Sequence, residues 1–307
     1  MRTKKRKNTV KQNASGFAII ICVFLTLYVI SKMSMYVWGF YTSLKSQFEL
    51  MHSTIAPPQG WPWEWAWENY TETFANIAIP IFLKDGSSGF ALFDTLLINT
   101  ILFTVVGAGV EMITTWLVAY LMVKFKNIKF NAILYTMNIF LMTIPIFGSL
   151  PAALKVFKFF NWYNNYSFYI FNNIVFTGTK LLYFHAFISQ LGNEYYEAAY
   201  IDGAKNFTIM TRIAFPLTQS MFWVYFLTEA IGRWNNYQIP VIWMPDYPTL
   251  GYALFYLTSG EGANETSAAF MPQQIAICMI LMIPLLILFF MFQDLMLNNM
   301  KIGGVKG

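Results

Sequence analysis

Five ionisable side chains lie inside otherwise apolar stretches of the sequence: Glu111, Lys180, His185, Glu229 and Arg233. Where such a stretch crosses a bilayer, a charge at the helix centre costs about 2.5–3.5 kcal/mol, so it needs a partner or a function. Glu229 and Arg233 are one helical turn apart, and we expect them to pair on one helix face. We expect Lys180 and His185 to reach the membrane surface or a backbone carbonyl.

Nucleotide and metal chemistry have little support in the sequence. It holds no Gly-x-x-x-x-Gly-Lys-Ser/Thr loop, the motif whose backbone cradles the phosphates of ATP. The two cysteines, Cys22 and Cys278, lie far apart in apolar runs, which argues against a disulfide framework. Together with His52 and His185 they are too few and too scattered for a zinc site. We expect no catalytic residue, cofactor or metal in this chain.

The composition excludes a soluble protein. Of the 307 residues, 57% are hydrophobic and only 11% are charged, whereas an average soluble domain has about 25% charged residues. The mean hydropathy of +0.47 agrees. A soluble enzyme, a nucleic-acid binder and a disordered chain are all excluded, and the sequence predicts an all-α protein that crosses a membrane several times.

A membrane-spanning helix needs roughly 20 mainly apolar residues. Pro145 and Pro151 interrupt the third candidate, and a polar stretch at 161–165 separates it from the fourth. We interpret the first apolar stretch as a retained helix, because it continues to Phe40 without a small-residue cleavage site. The sequence thus predicts about six spans, at 16–40, 94–122, 130–150, 168–190, 217–243 and 272–293.

The distribution of Lys and Arg orients these spans. With the N-terminus inside, inner segments hold 13 of the 20 basic residues, spans hold 3 and outer loops hold 4, namely Lys45, Lys84, Lys155 and Lys158. Positively charged loops stay cytoplasmic, so we expect both termini inside. The predicted organisation is a basic N-terminal tail at 1–15, a transmembrane domain at 16–293 and a C-terminal tail at 294–307. The transmembrane domain includes an outer loop at 42–93 and a cytoplasmic loop at 191–216.

The outer loop carries four tryptophans within seven positions, between Trp61 and Trp67. Such residues are enriched at membrane interfaces, where the ring is apolar and the N–H stays hydrated. The same surface could instead receive an external partner, and the sequence leaves both interpretations open.

The cytoplasmic loop 191–216 predicts a compact pair of short helices. The first would begin near Asn193 as N-cap and end at Gly203, because glycine adopts the left-handed conformation at little cost. The second would run from Ala204 to Ala214, until Pro216 stops it. Small alanines and flanking carboxylates suit docking of a basic protein surface, although an amphipathic helix lying on the membrane is the alternative.

This loop resembles a known signature. Glu197-Ala198-Ala199, three residues, Gly203, nine residues and then Ile213-x-Phe215-Pro216 is similar to the EAA loop of ABC importer permeases. Asp202-Gly203-Ala204 also fits that loop, whereas Phe215 stands where the family normally has leucine and Gly192 where it usually has proline. The resemblance assigns ATPase coupling to Glu197, Ala198, Ala199, Asp202, Gly203, Ala204, Ile213 and Pro216.

The resemblance extends over most of the chain. The segments concerned are Thr42–Lys45, Glu68–Tyr70, Ala119-Tyr120, Trp234–Tyr237 with Pro240, Pro284, Gln293 and the tail Gly303–Gly307. They are similar to carbohydrate importer permeases, in particular to the second permease subunit of maltose-type transporters.

The resemblance implies a type I ABC importer permease fold in a bacterial cytoplasmic membrane. It also implies the partners: a second permease subunit, two cytoplasmic ATPase subunits that bind ATP and Mg²⁺, an extracytoplasmic solute-binding protein, lipid and a carbohydrate, but no nucleic acid. In this interpretation ATP closes the ATPases, which move the loop and open the central cavity alternately to each side.

Within this resemblance one cluster could line the sugar path, since sugars are bound by aromatic faces, amides and carboxylates: Glu229, Arg233, Trp234, Asn235, Asn236 and Tyr237. The same residues could equally hold helices together, including those of the partner permease. A secondary transporter or channel is the competing class, in which Glu111 and Glu229 would relay protons or bind ions.

Overall fold

The computed structural model describes residues 16–82, 86–144, 148–259 and 271–299. The predicted N-terminal tail 1–15 lies outside the described residues, as do Lys84, Pro145 and residues 300–307 of the predicted C-terminal tail 294–307, which include Gly303–Gly307. The N-terminal part comprises α1 Gly16–Ser43, α2 Gln47–His52, α3 Glu68–Asn76, β1 Ala78–Phe82, β2 Ser88–Leu92 and α4 Phe93–Lys124. The middle comprises α5 Lys129–Thr143, α6 Leu150–Phe159, α7 Tyr166–Asn172, α8 Thr179–Ser189 and α9 Asn193–Ile201. The remainder comprises α10 Asn206–Ile209, a π-helical turn Met210–Ala214, α11 Phe215–Trp234, α12 Gln238–Trp243, α13 Leu250–Thr258 and α14 Met271–Asn299.

Within the described ranges, three helices are long and apolar enough to cross a membrane: Gly16–Ser43, Phe93–Lys124 and Met271–Asp294. They correspond to the first, second and last predicted spans. The other three predictions are wrong as continuous helices. In the stretch 130–150, α5 ends at Thr143. The stretch 168–190 is divided between α7 and α8, and α11 ends at Trp234 instead of 243.

The break between α7 and α8 is stabilised by side chains of other helices. Gly178, at φ +117°, has a conformation that favours glycine. Its N–H donates to Oδ1 of Asn138 on α5 at 2.6 Å, and the N–H of Val175 donates to Oγ1 of Thr114 on α4 at 3.3 Å. Non-helical backbone persists at membrane depth only where such partners satisfy it.

Helix α4 lies at the centre of the bundle and packs against α8 and α11. Its buried side chains include Met112, Trp116 and Ala119, which meet Phe184 of α8 and Phe222 of α11. The indole N–H of Trp116 donates to Oγ1 of Thr218 at 2.9 Å. A second core joins the outer ends of α4 and α14 to α13 and to the strands.

Helix α1 contrasts with α4, because its side chains are exposed along most of its length and its buried residues are Gly39, Thr42 and Ser43. A Cβ atom added to Gly39 would lie 2.9 Å from Cε of Met279, so this glycine permits close contact with α14. An apolar helix that is exposed on all sides in this chain is covered by lipid or by another subunit.

The outer loop folds into a β-hairpin that the all-α prediction did not include. The strands pair antiparallel, from Ala78 opposite Leu92 to Phe82 opposite Ser88. The N–H of Phe82 donates to Asp246 beyond α12 at 3.2 Å, which ties the hairpin to the outer end of the bundle. Strand β1 contains Pro80. Proline is tolerated in an edge strand, but its presence in a sequence argues against predicting a strand there.

The Asn138→Leu variant tests the role of the break. It removes the acceptor of the N–H of Gly178, which is partly buried. A fully buried unsatisfied group costs about 1–3 kcal/mol, and that is the upper bound for this loss. We expect the purified protein in detergent to unfold at a lower temperature than wild type, as followed by tryptophan fluorescence. Thr136→Val on the exposed face of α5 is the matched control. Equal unfolding temperatures for the two variants would contradict the role of Asn138.

Candidate functional site

Helix α9 ends at Ile201, and the chain turns at Gly203 two residues later, as the sequence predicts. The N–H of Ala204 donates to the carbonyl of Ala199 at 2.9 Å, and the N–H of Gly203 donates to that of Tyr200 at 3.0 Å. With Gly203 at φ +77°, this is a Schellman cap, which satisfies the last carbonyl groups of the helix. At the other end the N-cap is Gly192, one residue before the predicted Asn193.

The prediction that Pro216 stops a second helix is wrong. Helix α10 passes through the π-helical turn Met210–Ala214 directly into α11, and Pro216 lies in the first turn of α11. Proline lacks an N–H and crowds the carbonyl one turn earlier, and the wider π turn accommodates both. The chain is therefore helical without interruption from Asn206 to Trp234.

The predicted coupling residues occupy two different environments. The exposed members are Glu197, Ala198, Asp202, Gly203 and Pro216. Ala204 and Ile213 are half-buried, and Ala199 is buried within the chain. Ala198 is exposed, whereas Ala199 packs within the chain itself, so Ala199 does not present the small exposed side chain that the sequence predicts.

The loop also exposes apolar side chains that the sequence analysis did not single out. Ile201 is 87% exposed and Phe207 is 72% exposed, and they flank the turn at Gly203 from either side. The sequence shows these apolar residues on either side of the polar Asp202 and the turn at Gly203, and that position could have predicted their exposure. Large apolar side chains at such exposure mark a surface that another protein or a membrane covers.

A cation joins α9 to the end of α4. The Lys124 ammonium lies 4.8 Å from the ring centroid of Tyr196 and 4.4 Å from that of Tyr200. Such cation–π contacts contribute about 0.5–1 kcal/mol each at exposed sites. Burial raises the pKa of the Tyr196 phenol, so the ring stays neutral at physiological pH. Beside this contact is a cavity of about 510 Å³, which His185 and Glu197 help to line.

Four of the five ionisable residues predicted inside spans form one network across α4, α8 and α11. Nζ of Lys180 contacts Oε1 of Glu111 at 2.5 Å and also contacts Glu229. Nη2 of Arg233 lies 2.5 Å from Oε2 of Glu111, and its Nε lies 3.1 Å from Oε1 of Glu229. The Nε contact is an ion pair without hydrogen-bond alignment. Two carboxylates and two cations neutralise one another.

The sequence anticipates the pairing of Glu229 with Arg233 but not the role of Lys180. Instead of reaching the surface, Lys180 lies in the first turn of α8 and bridges two carboxylates. His185 packs its ring against Tyr135, with 4.9 Å between centroids.

Tyr169 of α7 extends the network. Its hydroxyl accepts a hydrogen bond from Nη1 of Arg233 at 2.7 Å and donates to the carbonyl of Phe103 at 2.9 Å. Gly107 of α4 makes this arrangement possible, because a Cβ there would lie 2.2 Å from the tyrosine oxygen and 2.7 Å from Nη1. A glycine inside α4 thus leaves room for the guanidinium.

The remaining residues of the candidate sugar path differ in accessibility. Trp234 is buried, and its indole N–H donates to the carbonyl of Leu281 at 3.0 Å. Oδ1 of Asn236 accepts the N–H of Ile239 at 2.9 Å. Asn235 and Tyr237 are exposed. One face of the Tyr237 ring stacks on Phe255 with 4.7 Å between centroids, so the exposed part of the side chain is its edge and other face.

The chain is similar to known membrane transport proteins. Residues 112–302 match the family described as "Binding-protein-dependent transport system inner membrane component". The melibiose/raffinose/stachyose import permease protein MelC of Bacillus subtilis is 27% identical over 216 residues, which cover 68% of this chain and 75% of that protein. The diacetylchitobiose uptake system permease protein NgcG of Streptomyces coelicolor is 22% identical over 291 residues, which cover 94% of this chain and 88% of that protein.

The fold also resembles a solved structure. A chain of a bacterial ABC transporter involved in the import of the acidic polysaccharide alginate superposes with a TM-score of 0.70 at 19% identity. The superposition covers 96% of this chain and 99% of that one. The likeness supports the fold over the part of the chain that the superposition covers.

The Arg233→Met variant tests the ion network. Removing one partner of a buried pair leaves an uncompensated charge and costs about 3–5 kcal/mol. We expect a clear fall in the unfolding temperature in detergent, and partial recovery when Glu229→Met is added, because Glu111 and Lys180 then balance. Arg212→Met, at an exposed arginine of the π turn, is the control. If Arg233→Met unfolds like this control, the network does not stabilise the bundle.

Proposed function

The chain belongs to the family of binding-protein-dependent transport system inner membrane components, and on that basis we propose that it is one permease subunit of an ATP-driven carbohydrate importer. The relatives named above support the substrate class, since their names state import of melibiose, raffinose, stachyose and diacetylchitobiose. The observation that carries the proposal is the exposed loop 191–216, with its Schellman turn at Gly203.

We propose that this loop receives force from a cytoplasmic ATPase. Exposed Glu197 and Asp202 offer charge-assisted contacts to basic side chains of a partner, and Ile201 and Phe207 add apolar area. The turn at Gly203 is held by its cap, and Lys124 holds α9 against α4. A displacement of the loop would therefore move α4 with it.

A second route for displacement leads through α11. The uninterrupted helix from Asn206 to Trp234 is about 43 Å long at 1.5 Å per residue. It begins in the cytoplasmic loop and carries Glu229 and Arg233 in the ion network. In the proposed mechanism a movement at Phe207 reaches α4 and α8 through these ion pairs, and the bundle rocks between outward and inward states.

ATP chemistry belongs to the partners in this proposal. The chain lacks a phosphate loop, so separate ATPase subunits would bind ATP and Mg²⁺, and this permease would be non-catalytic. A second permease subunit would complete the translocation path, and an external solute-binding protein would deliver the sugar.

The residues proposed to meet the sugar are the accessible ones, Asn235 and Tyr237, which supply an amide and an aromatic ring. Glu229, Arg233, Trp234 and Asn236 would instead hold the surrounding helices in place, which fits the interhelical alternative of the sequence analysis. The secondary-transporter alternative is not favoured, because Glu111 and Glu229 are both ion-paired with cations.

Gly203→Val tests coupling through the loop. A β-branched residue at a left-handed position is strained by roughly 1–2 kcal/mol, while the added Cβ meets no atom within 4 Å. We expect an inserted, assembled protein in which sugar uptake falls at least tenfold while ATP hydrolysis continues. Gly192→Val is the matched control, because Gly192 has φ −60° at the opposite end of α9. Wild-type uptake by Gly203→Val would contradict the proposed role of the turn.

Copurification tests the class of transporter. We expect the tagged chain to bring down a second permease and an ATPase from detergent-solubilised native membranes. The reconstituted complex should hydrolyse ATP faster with purified binding protein and one member of a sugar panel. Uptake by the chain alone in proteoliposomes, driven by an ion gradient, would instead establish the secondary-transporter class.

A further inference from the structure

Three charged side chains of the segment between α1 and α3 are hydrogen-bonded to the backbone of the segment itself. Nζ of Lys45 is buried and donates to the carbonyl of Ser53 at 2.7 Å. Oε2 of Glu64 accepts the N–H of Trp61 at 2.9 Å, and Glu49 accepts the N–H of Gln59. These charged side chains are engaged with the backbone of the segment itself.

The same segment turns large apolar side chains outward. Trp61 and Trp63 are 64% and 72% exposed, and their rings stack at 5.1 Å with 4° between planes. Phe48, Met51 and Ile55 are exposed to at least the same extent. Apolar exposure on this scale is unusual for a surface that faces water.

This apolar surface is continuous with α1. Ile55 and Pro57 line a groove of about 750 Å³ together with residues of α1 from Val29 to Tyr41. The indole N–H of Trp38 donates to the carbonyl of Thr54 at 2.8 Å, which fixes the segment against the outer end of the helix. The segment and α1 therefore share one exposed face.

The length of α1 sets the depth of this face. Its 28 residues span about 42 Å at 1.5 Å per residue, while the hydrocarbon core is about 30 Å thick and the bilayer with headgroups about 40–45 Å. The outer end of α1, with Trp38, thus lies at the headgroup layer. Thr54 and Ile55 lie beside it at the same level.

We infer that residues 46–63 form an in-plane membrane anchor in the outer leaflet, with the Trp61–Trp63 stack at headgroup level. The ligand is phospholipid, bound through apolar area. Glu49 is the one Asp, Glu, Lys or Arg residue in 46–63, so anionic headgroups add no attraction. The other occupants are a solute-binding protein, which the outer position of the loop allows, and a neighbouring subunit. Lipid is favoured because the segment lies at the level of Trp38, exposes mainly apolar side chains and continues the apolar face of α1.

Spin labels at single cysteines test the anchor. The background is Cys22→Ser with Cys278→Ser, and the labels go to Phe48→Cys, Ile55→Cys and Trp63→Cys. Thr71→Cys on the exposed face of α3 is the control. The full chain, with the subunits that copurify with it, is placed in nanodiscs of phosphatidylcholine, with or without phosphatidylglycerol. Collision rates with oxygen and with a water-soluble nickel chelate are then measured.

We expect the three anchor labels to collide more with oxygen than with nickel, and the Thr71→Cys label to show the reverse. The same ratio is expected in both lipid mixtures. Labels that match Thr71→Cys would place the segment in water and overturn the anchor. Labels shielded from both reagents, or shielded only after binding protein is added, would show a protein occupant and overturn it as well. None of these results depends on sugar transport.

Discussion

Four charges from three helices neutralise one another in the middle of an apolar bundle, and the arrangement of α4, α8 and α11 depends on this. Glu111 contacts both cations, so Lys180 and Arg233 balance the charge of its carboxylate. A lone charge at this depth costs several kcal/mol, which penalises any packing that separates the helices. The space that Gly107 leaves for Arg233 and Tyr169 shows that α4 is shaped around this network. The network thus selects one arrangement of the three helices as well as holding them together.

The network and the cytoplasmic loop lie on one continuous helix, and this connects the two proposed parts of the mechanism. A hinge at Pro216 would have isolated them. Instead the π turn keeps the helix intact, and Lys124 provides a second connection between α9 and α4. The loop is thus linked to the bundle in two places, through α11 and through the contact of Lys124 with α9. The exposed side of the loop, with Ile201 and Phe207, remains available to a partner.

The sequence predicts best where a local rule decides the structure. The lengths of α1, α4 and α14 follow from hydropathy, and the turn at Gly203 follows from the conformational freedom of glycine. The break at 173–178 was missed because the apolar run hides it, and its partners Asn138 and Thr114 come from other helices. Lys180 was misplaced for the same reason, since both its carboxylates are distant in sequence. At Pro216 the local rule gave the wrong answer because a wider turn relieved the conflict.

The π-helical turn also sets the rotation of the residues before it relative to those after it around the helix axis. A π turn contains one residue more than the α-helical path, and one residue corresponds to about 100° of rotation around the helix axis. The side of the helix on which Phe207 projects is therefore offset from the side that carries Glu229 and Arg233, relative to an unbroken α-helix. A single extra residue at Met210–Ala214 thus sets the direction in which the loop 191–216 faces relative to the ion network.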